Sequence, residues 1–146
     1  MSSESYIKQI QLRWADIDVN RHVLHSRYYE WGATVRMEFL VKHGITVEWL
    51  EANNIGPILF REECQFRKEV RFADEIIMDV VLTKAKKDYS RWSLRHHITK
   101  ADNTLAAIIN IDGAWLDLTK RKLATPNETI VKAFELFPKS KDFEWL

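Results

Sequence analysis

A chain of 146 residues, 46% apolar and 29% charged, is long enough to bury a core and suits one domain spanning residues 1–146. A net charge of +1 gives no broad field for nucleic acid, and no basic run is interleaved with aromatics. The polar first residues, the lack of any apolar run near ~20 residues and a single cysteine, Cys64, that cannot close an intrachain disulfide lead us to expect a cytoplasmic protein with no membrane or nucleic-acid partner.

The first element predicted is a strand over residues 6–14, where Tyr6, Ile10 and Leu12 alternate with polar residues and Lys8 disturbs one face. A motif loop follows, with Asp16, Asp18, His22 and His25 crowded ahead of a helix over 26–43. In that helix Arg27, Glu30, Thr34, Glu38 and Lys42 form a narrow polar stripe, leaving Tyr28, Trp31, Val35, Phe39 and Leu40 on other faces, so burial on most sides is expected. Ser26 is its expected N-cap and Gly44 its stop. A short helix over 47–53 exits through a turn at 54–57. One long strand is predicted over 58–72, with Ile58, Phe60, Cys64, Phe66, Val70 and Phe72 on one parity. Glu62 and Lys68 interrupt that parity, as a bulge, a subunit contact or a polar pocket wall. Strands over 75–85, 89–99 and 105–118 make an antiparallel meander, and Pro126 precedes a helix through 137 that Pro138 stops. A buried helix with long antiparallel strands predicts an α+β layer, the sheet wrapped around the helix. The six tryptophans either line a pocket or pack the core and a subunit interface.

The motif loop carries the chemistry. Asp18 can act as a general base or as a nucleophile. Unpaired amides near residues 23–26, at the helix entrance, can hold an oxygen that becomes negative during reaction. The bland reading of the same residues is a turn and a cap. Asp16 fits a structural role, capping backbone amides of the loop. His25 fits either a carbonyl-polarising, water-placing role or a bond to local backbone, and His22 reads as a loop histidine bonded to a carbonyl. No further ligand at metal spacing accompanies them, and His96 and His97 point to opposite faces of a strand, so neither a metal nor another cofactor is expected. Gly-x-Ser-x-Gly is absent and Cys64 reads as an inert thiol.

The pattern Asp16-x-Asp18-x-x-x-His22-Val23-x-x-x-x-Tyr28 resembles the motif by which the 4-hydroxybenzoyl-CoA thioesterase family of hotdog-fold enzymes enters its central helix. Gly56-Pro57-Ile58, Arg71-Phe72-Ala73-Asp74-Glu75 and residues 122–126 are also similar to that family's pattern. The resemblance implies a hotdog fold and an acyl-CoA thioesterase that releases CoA and a carboxylic acid. It puts Asp18 on the catalytic aspartate, His25 on a second active-site position and Tyr28 on the aromatic that follows; Val23 and Ser26 are expected beside the substrate from their position at the helix entrance. It also implies edge-to-edge pairing of protomers with the active site at their interface, in a homodimer or homotetramer. Arg21 stands where the family usually has glycine; it must tolerate that backbone, and it brings a cation near the substrate. Cations for CoA phosphates are available at strand ends, in Lys84, Lys86 and Lys87 or in Lys120, Arg121 and Lys122. The rival functions are hydrolysis of an acyl-carrier-protein thioester, a noncatalytic acyl-thioester binding module, for which Arg21 is the best argument, and enoyl-thioester hydration. Asp18 and His22 do not match the Asp-x-x-x-x-His spacing of the hydratases.

Overall fold

The structure, a computed structural model, describes residues 5–146. Seven strands form one sheet: β1 (Ile7–Ile10), β2 (Ile55–Phe66), β3 (Ile76–Asp79), β4 (Val81–Ala85), β5 (Arg91–Lys100), β6 (Leu105–Asp117) and β7 (Lys139–Trp145). Among the described residues three α-helices accompany them: α1 (His25–Lys42), α2 (Val47–Ala52) and α3 (Glu128–Glu135). Across the sheet β2 pairs β6, β6 pairs β5, and β5 pairs both β3 and β4, all antiparallel. The far side is completed by β1 against β3 and by β7, which runs parallel to β4.

The strand expected over 75–85 is divided at Val80, and the hydrogen bonds say why. The Val80 N–H donates to the Tyr6 carbonyl at 3.3 Å, whereas that of Leu82 donates to the Pro138 carbonyl at 2.7 Å. The outer neighbour thus changes from β1 to the chain entering β7. On β5 the alternation behaves as its sequence implies. Trp92, Leu94, His96 and Ile98 are buried, while Arg91 is exposed and Ser93, Arg95 and His97 are only partly covered.

α1 lies against the sheet with Tyr28, Gly32, Val35, Phe39 and Leu40 buried, a stripe at helical spacing. The burial is therefore one-sided and not, as expected, on most sides: Ala33 and Val41 are exposed and Trp31 and Met37 half-buried. Phe39 stacks on Phe137 at a centroid distance of 3.8 Å, and Phe134 of α3 meets Trp92 and Trp115 at 5.4 and 5.6 Å. Those two tryptophans belong to the core, whereas Trp14 is 75% exposed.

Several boundaries differ from expectation. Ser26 does not cap α1: Leu24 holds the cap position without a side-chain bond, and His25 opens the helix. Gly44 does follow its end, at φ +88°. Thr46 caps α2 through the Trp49 N–H, and β2 already begins at Ile55, which leaves Asn54, at φ +56°, to make the turn. The long strand ends at Phe66 rather than 72, because its partner β6 has run out: Phe66 pairs with Ala107, and the N–H groups of Arg67 and Lys68 both turn onto the Ala106 carbonyl. The α3 helix starts at Glu128, capped by Asn127 at 3.2 Å. β7 was not anticipated, since its sequence Lys-Ser-Lys-Asp-Phe-Glu-Trp is polar and largely exposed.

Candidate active site

The motif loop is held by a buried carboxylate. Asp16 is fully buried; its Oδ1 accepts from Arg13 Nη2 at 2.8 Å and from Arg27 Nε of α1 at 2.9 Å, and its Oδ2 accepts the Arg13 N–H at 2.9 Å. Burial by itself would raise its pKa, but the hydrogen bonds and charges of Arg13 and Arg27 hold the Asp16 carboxyl below the usual carboxylate range. Its carbonyl also accepts the Leu24 N–H at 2.8 Å. Asp16 is thus the staple between loop and helix.

Between these anchors the chain makes a tight turn. The Asp18 carbonyl accepts the Arg21 N–H at 3.1 Å, and the Asp18 N–H donates to the His22 carbonyl at 3.0 Å. Arg21 closes the turn at φ +66°, the left-handed conformation that favours glycine. Its side chain is exposed, so the cation points off the loop while the backbone keeps the turn. Asp18 Oδ1 accepts the Asn20 N–H at 2.8 Å. Its Oδ2 lies 3.8 Å from His22 Nδ1, beyond hydrogen-bond range, and the His22 ring nitrogen is nearer the Val23 carbonyl, at 3.3 Å. One carboxylate oxygen is therefore engaged by the turn and the other is left for chemistry.

Asp18 faces a cleft of about 360 Å³ that it shares with Asn20, His22, Val23, His25 and Tyr28, and whose other wall is the Phe66 to Glu69 segment. Among the amides considered at the helix entrance, two are taken: Val23 donates to the Val70 carbonyl and Leu24 to that of Asp16, both at 2.8 Å. The His25 and Ser26 N–H groups, in the first turn of α1, have no acceptor among the described residues. Val23 therefore contributes a buried side chain to the cleft and no free donor. Tyr28 is buried, its ring 5.0 Å from that of Phe66, and burial pushes its hydroxyl up to about 12, the charges of Cys64 and Asp18 adding to the effect. It stays protonated and can donate.

Sequence reasoning placed Asp18, Val23, His25 and Tyr28 in one site, and the fold brings them together. Ser26 adds its amide from beside them. Lys86 and Lys87 lie elsewhere, in the exposed turn between β4 and β5. That turn sits at the Ala85–Trp92 end of the sheet, whereas the cleft sits at the Ile98–Ala107–Phe66 end, about 20 Å away along β5. The cations actually at the cleft are Arg67 and Lys68. The break in alternation at Lys68 was the signal for them. Burial pushes the Cys64 thiol up to about 11, with Glu62 adding to it, which removes it as a nucleophile. Among the described residues no cluster of His, Cys, Asp and Glu could hold a metal, and no helix is long and apolar enough to cross a membrane.

The profile of the thioesterase-like superfamily matches residues 12–134. No curated protein matches the chain. Among solved structures, a Staphylococcus aureus protein in complex with CoA superposes with a TM-score of 0.85 at 19% identity, covering 97% of this chain and 90% of its own. A DHNA-CoA thioesterase from the same organism gives 0.79 at 16% identity, covering 90% and 89%. A 1,4-dihydroxy-2-naphthoyl-CoA thioesterase from Synechocystis gives 0.79 at 16% identity, covering 90% and 96%. At such identities the likeness establishes the fold, a hotdog sheet packed on its central helix.

Proposed function

This chain belongs to the thioesterase-like superfamily, and from that we propose that it is an acyl-CoA thioesterase with Asp18 at the reacting carbonyl. The observation that carries the reading is the meeting of a half-engaged carboxylate with the unpaired first-turn amides of α1 at one cleft. In the general-base version, Asp18 takes a proton from water as the water oxygen bonds to the thioester carbon. The His25 and Ser26 amides and the positive end of the helix hold the resulting oxyanion. Collapse breaks the C–S bond, and the proton on Asp18 passes to the departing thiolate. In the nucleophilic version the carboxylate itself bonds to carbon and the C–S bond breaks to release the thiolate; water then cleaves the mixed anhydride, regenerating the Asp18 carboxylate and giving the acid, whose proton balances the thiolate. His25 places the water or polarises the carbonyl, and Tyr28 supplies a further protonated donor.

CoA as the carrier is supported by the likeness to a protein solved with CoA, and Arg67 and Lys68 supply cations for its phosphates at the cleft. Arg21 adds an exposed cation beside the same loop. A homodimer suits the β2 edge, which among the described residues pairs only with β6 and leaves Leu59, Phe60 and Phe66 exposed. Antiparallel pairing of two β2 edges sets the Lys86 and Lys87 end of one sheet beside the Asp18 end of the other, so those lysines act across the interface. A homotetramer would add a second contact to this one.

The test is thiol release from a panel of short, long and aromatic acyl-CoAs, comparing wild type with Asp18→Asn and His25→Ala. Turnover is expected from the wild type, with a loss of about 10²–10⁴-fold in Asp18→Asn. Release of no thiol by the wild type from any CoA ester would overturn the reading in favour of a carrier-protein substrate or a binding module.

A further inference from the structure

The two chain segments that wall the Asp18 cleft run on side by side beyond it. One is the motif loop followed back from Val23 to Trp14, and the other continues from Glu69 to Phe72. Midway they are tied by the Val23 N–H, which donates to the Val70 carbonyl at 2.8 Å. Where they end, the rings of Trp14 and Phe72 meet edge to face with centroids 5.7 Å apart. Trp14 is 75% exposed and Phe72 49%, so the pair presents ring faces to solvent.

Neither ring is mounted on loose backbone. Trp14 opens a single helical turn closed by the Asp16 N–H on the Arg13 carbonyl at 2.9 Å, and the buried Asp16 carboxylate anchors that turn. Phe72 takes the second position of a turn in which the Asp74 N–H donates to the Arg71 carbonyl at 3.0 Å and the Arg71 N–H to Asp74 Oδ2 at 2.8 Å. Lys100 Nζ, 3.1 Å from the same oxygen, ties that turn to β5. Each ring is preceded by an exposed arginine. Arg13 turns Nε and Nη2 to Asp16, and Arg71 turns the same two atoms to Glu69, so Nη1 of each has no acceptor among the described residues. Fixed ring faces flanked by guanidinium groups suit a purine nucleotide, the base stacking and the phosphate meeting the charge.

Resting on the acyl-CoA reading, we propose that Trp14 and Phe72 form the binding site for the adenine of CoA. Lys68, which with Arg67 meets the phosphates in that reading, stands four residues before Phe72 on the same segment, at most about 14 Å away. Ribose and base cover such a span, which the inward turn at buried Val70 shortens. The β2 edge offered to a second copy lies three strand spacings from β3, about 14 Å, so pairing there leaves the rings open. A partner protein is a poorer fit, because the two rings offer about 250 Å² between them, against about 800 Å² per side of a stable interface.

The test is calorimetric binding of CoA and of 4′-phosphopantetheine, which lacks the adenosine part, to the full chain. The wild type is expected to bind CoA at least about tenfold more tightly. Trp14→Ala should lose about tenfold in affinity for CoA and hold its affinity for 4′-phosphopantetheine, and Trp14→Phe should recover part of the loss. Phe72→Ala should lose severalfold on CoA alone and covers the case in which Trp14→Ala fails to fold. Unchanged CoA affinity in both alanine variants, an equal loss for the two ligands, or no binding of CoA by the wild type would overturn the proposal. Unchanged CoA affinity with loss of thiol release from an acyl-carrier protein would overturn it in favour of a protein partner. Failure of the thioesterase reading is separately visible: CoA binding that depends on Trp14, without thiol release from any acyl-CoA, overturns hydrolysis alone.

Discussion

At the scale of single residues, the four carboxylates and imidazoles of the motif loop divide by what their neighbours do to them. Asp16 is spent on Arg13, Arg27 and the loop backbone, whereas Asp18, two positions on, keeps an oxygen free at the cleft. Sequence proximity makes them look equivalent; which one is sealed under the loop is a matter of packing. Arg21 shows the reverse relation, since its identity is legible at once but only the backbone shows it at φ +66°, in the left-handed conformation that favours glycine. His96 supports a prediction of its own. Burial, with the charge of Arg36 second, pushes its imidazole down to about 4, against about 6.5 in an unfolded chain. The folded state stays neutral while the unfolded chain takes up a proton, so this contribution is complete above pH 6.5 and is lost as pH falls through 4. Urea unfolding of wild type and His96→Gln between pH 7 and pH 4 should show an excess slope in the wild type of up to about 1.4 kcal/mol per pH unit. Parallel profiles would contradict the buried neutral histidine.

At the scale of elements, periodicity located those that have one buried and one exposed face. β5 and α3 are of that kind, as is the inner stripe of α1. Periodicity failed where partners decide. Residues 67–72 alternate like a strand, yet the ladder stops where β6 stops; β7 has an unremarkable polar sequence, yet the exposed side of β4 recruits it. Close packing between elements is clearest at Gly113 of β6. A Cβ there would stand 2.3 Å from a Trp92 ring carbon and 2.7 Å from the Ile58 carbonyl oxygen on β2. Neither the buried indole nor the neighbouring backbone can yield cheaply, and Gly113→Ala is expected to cost about 1–3 kcal/mol. A thermal melt should show Tm lowered by several degrees; an unchanged Tm would mean that the β2 and β6 ladder is looser than its geometry implies.

At the scale of the whole molecule, the protomer has one unfinished side. β2 is twelve residues long, has an edge left unpaired among the described residues, and exposes apolar groups beside a helix whose outer face is itself only partly polar. The lysines at the far end of the sheet and the cations at the cleft belong to one site only if a second copy brings the two ends together. Sedimentation equilibrium is expected to give a dimer or a tetramer of dimeric units. A monomer at all working concentrations would remove the interface from the proposed function and leave Lys86 and Lys87 as solvated turn residues.

Sequence by itself determined the α+β class, the helix that the sheet wraps, and the loop and helix start bearing Asp18, His25 and Tyr28, because each of these is written in local spacing: strand parity, helical stripe, and acids and imidazoles around a helix start. Tertiary structure alone decided which amides remain free, which aspartate is buried, where β2 ends, and that Trp14 and Phe72 meet at the surface. Those outcomes depend on contacts between residues far apart in the chain. Hydrogen-bond satisfaction and burial are properties of such contacts, so no periodicity in the sequence encodes them.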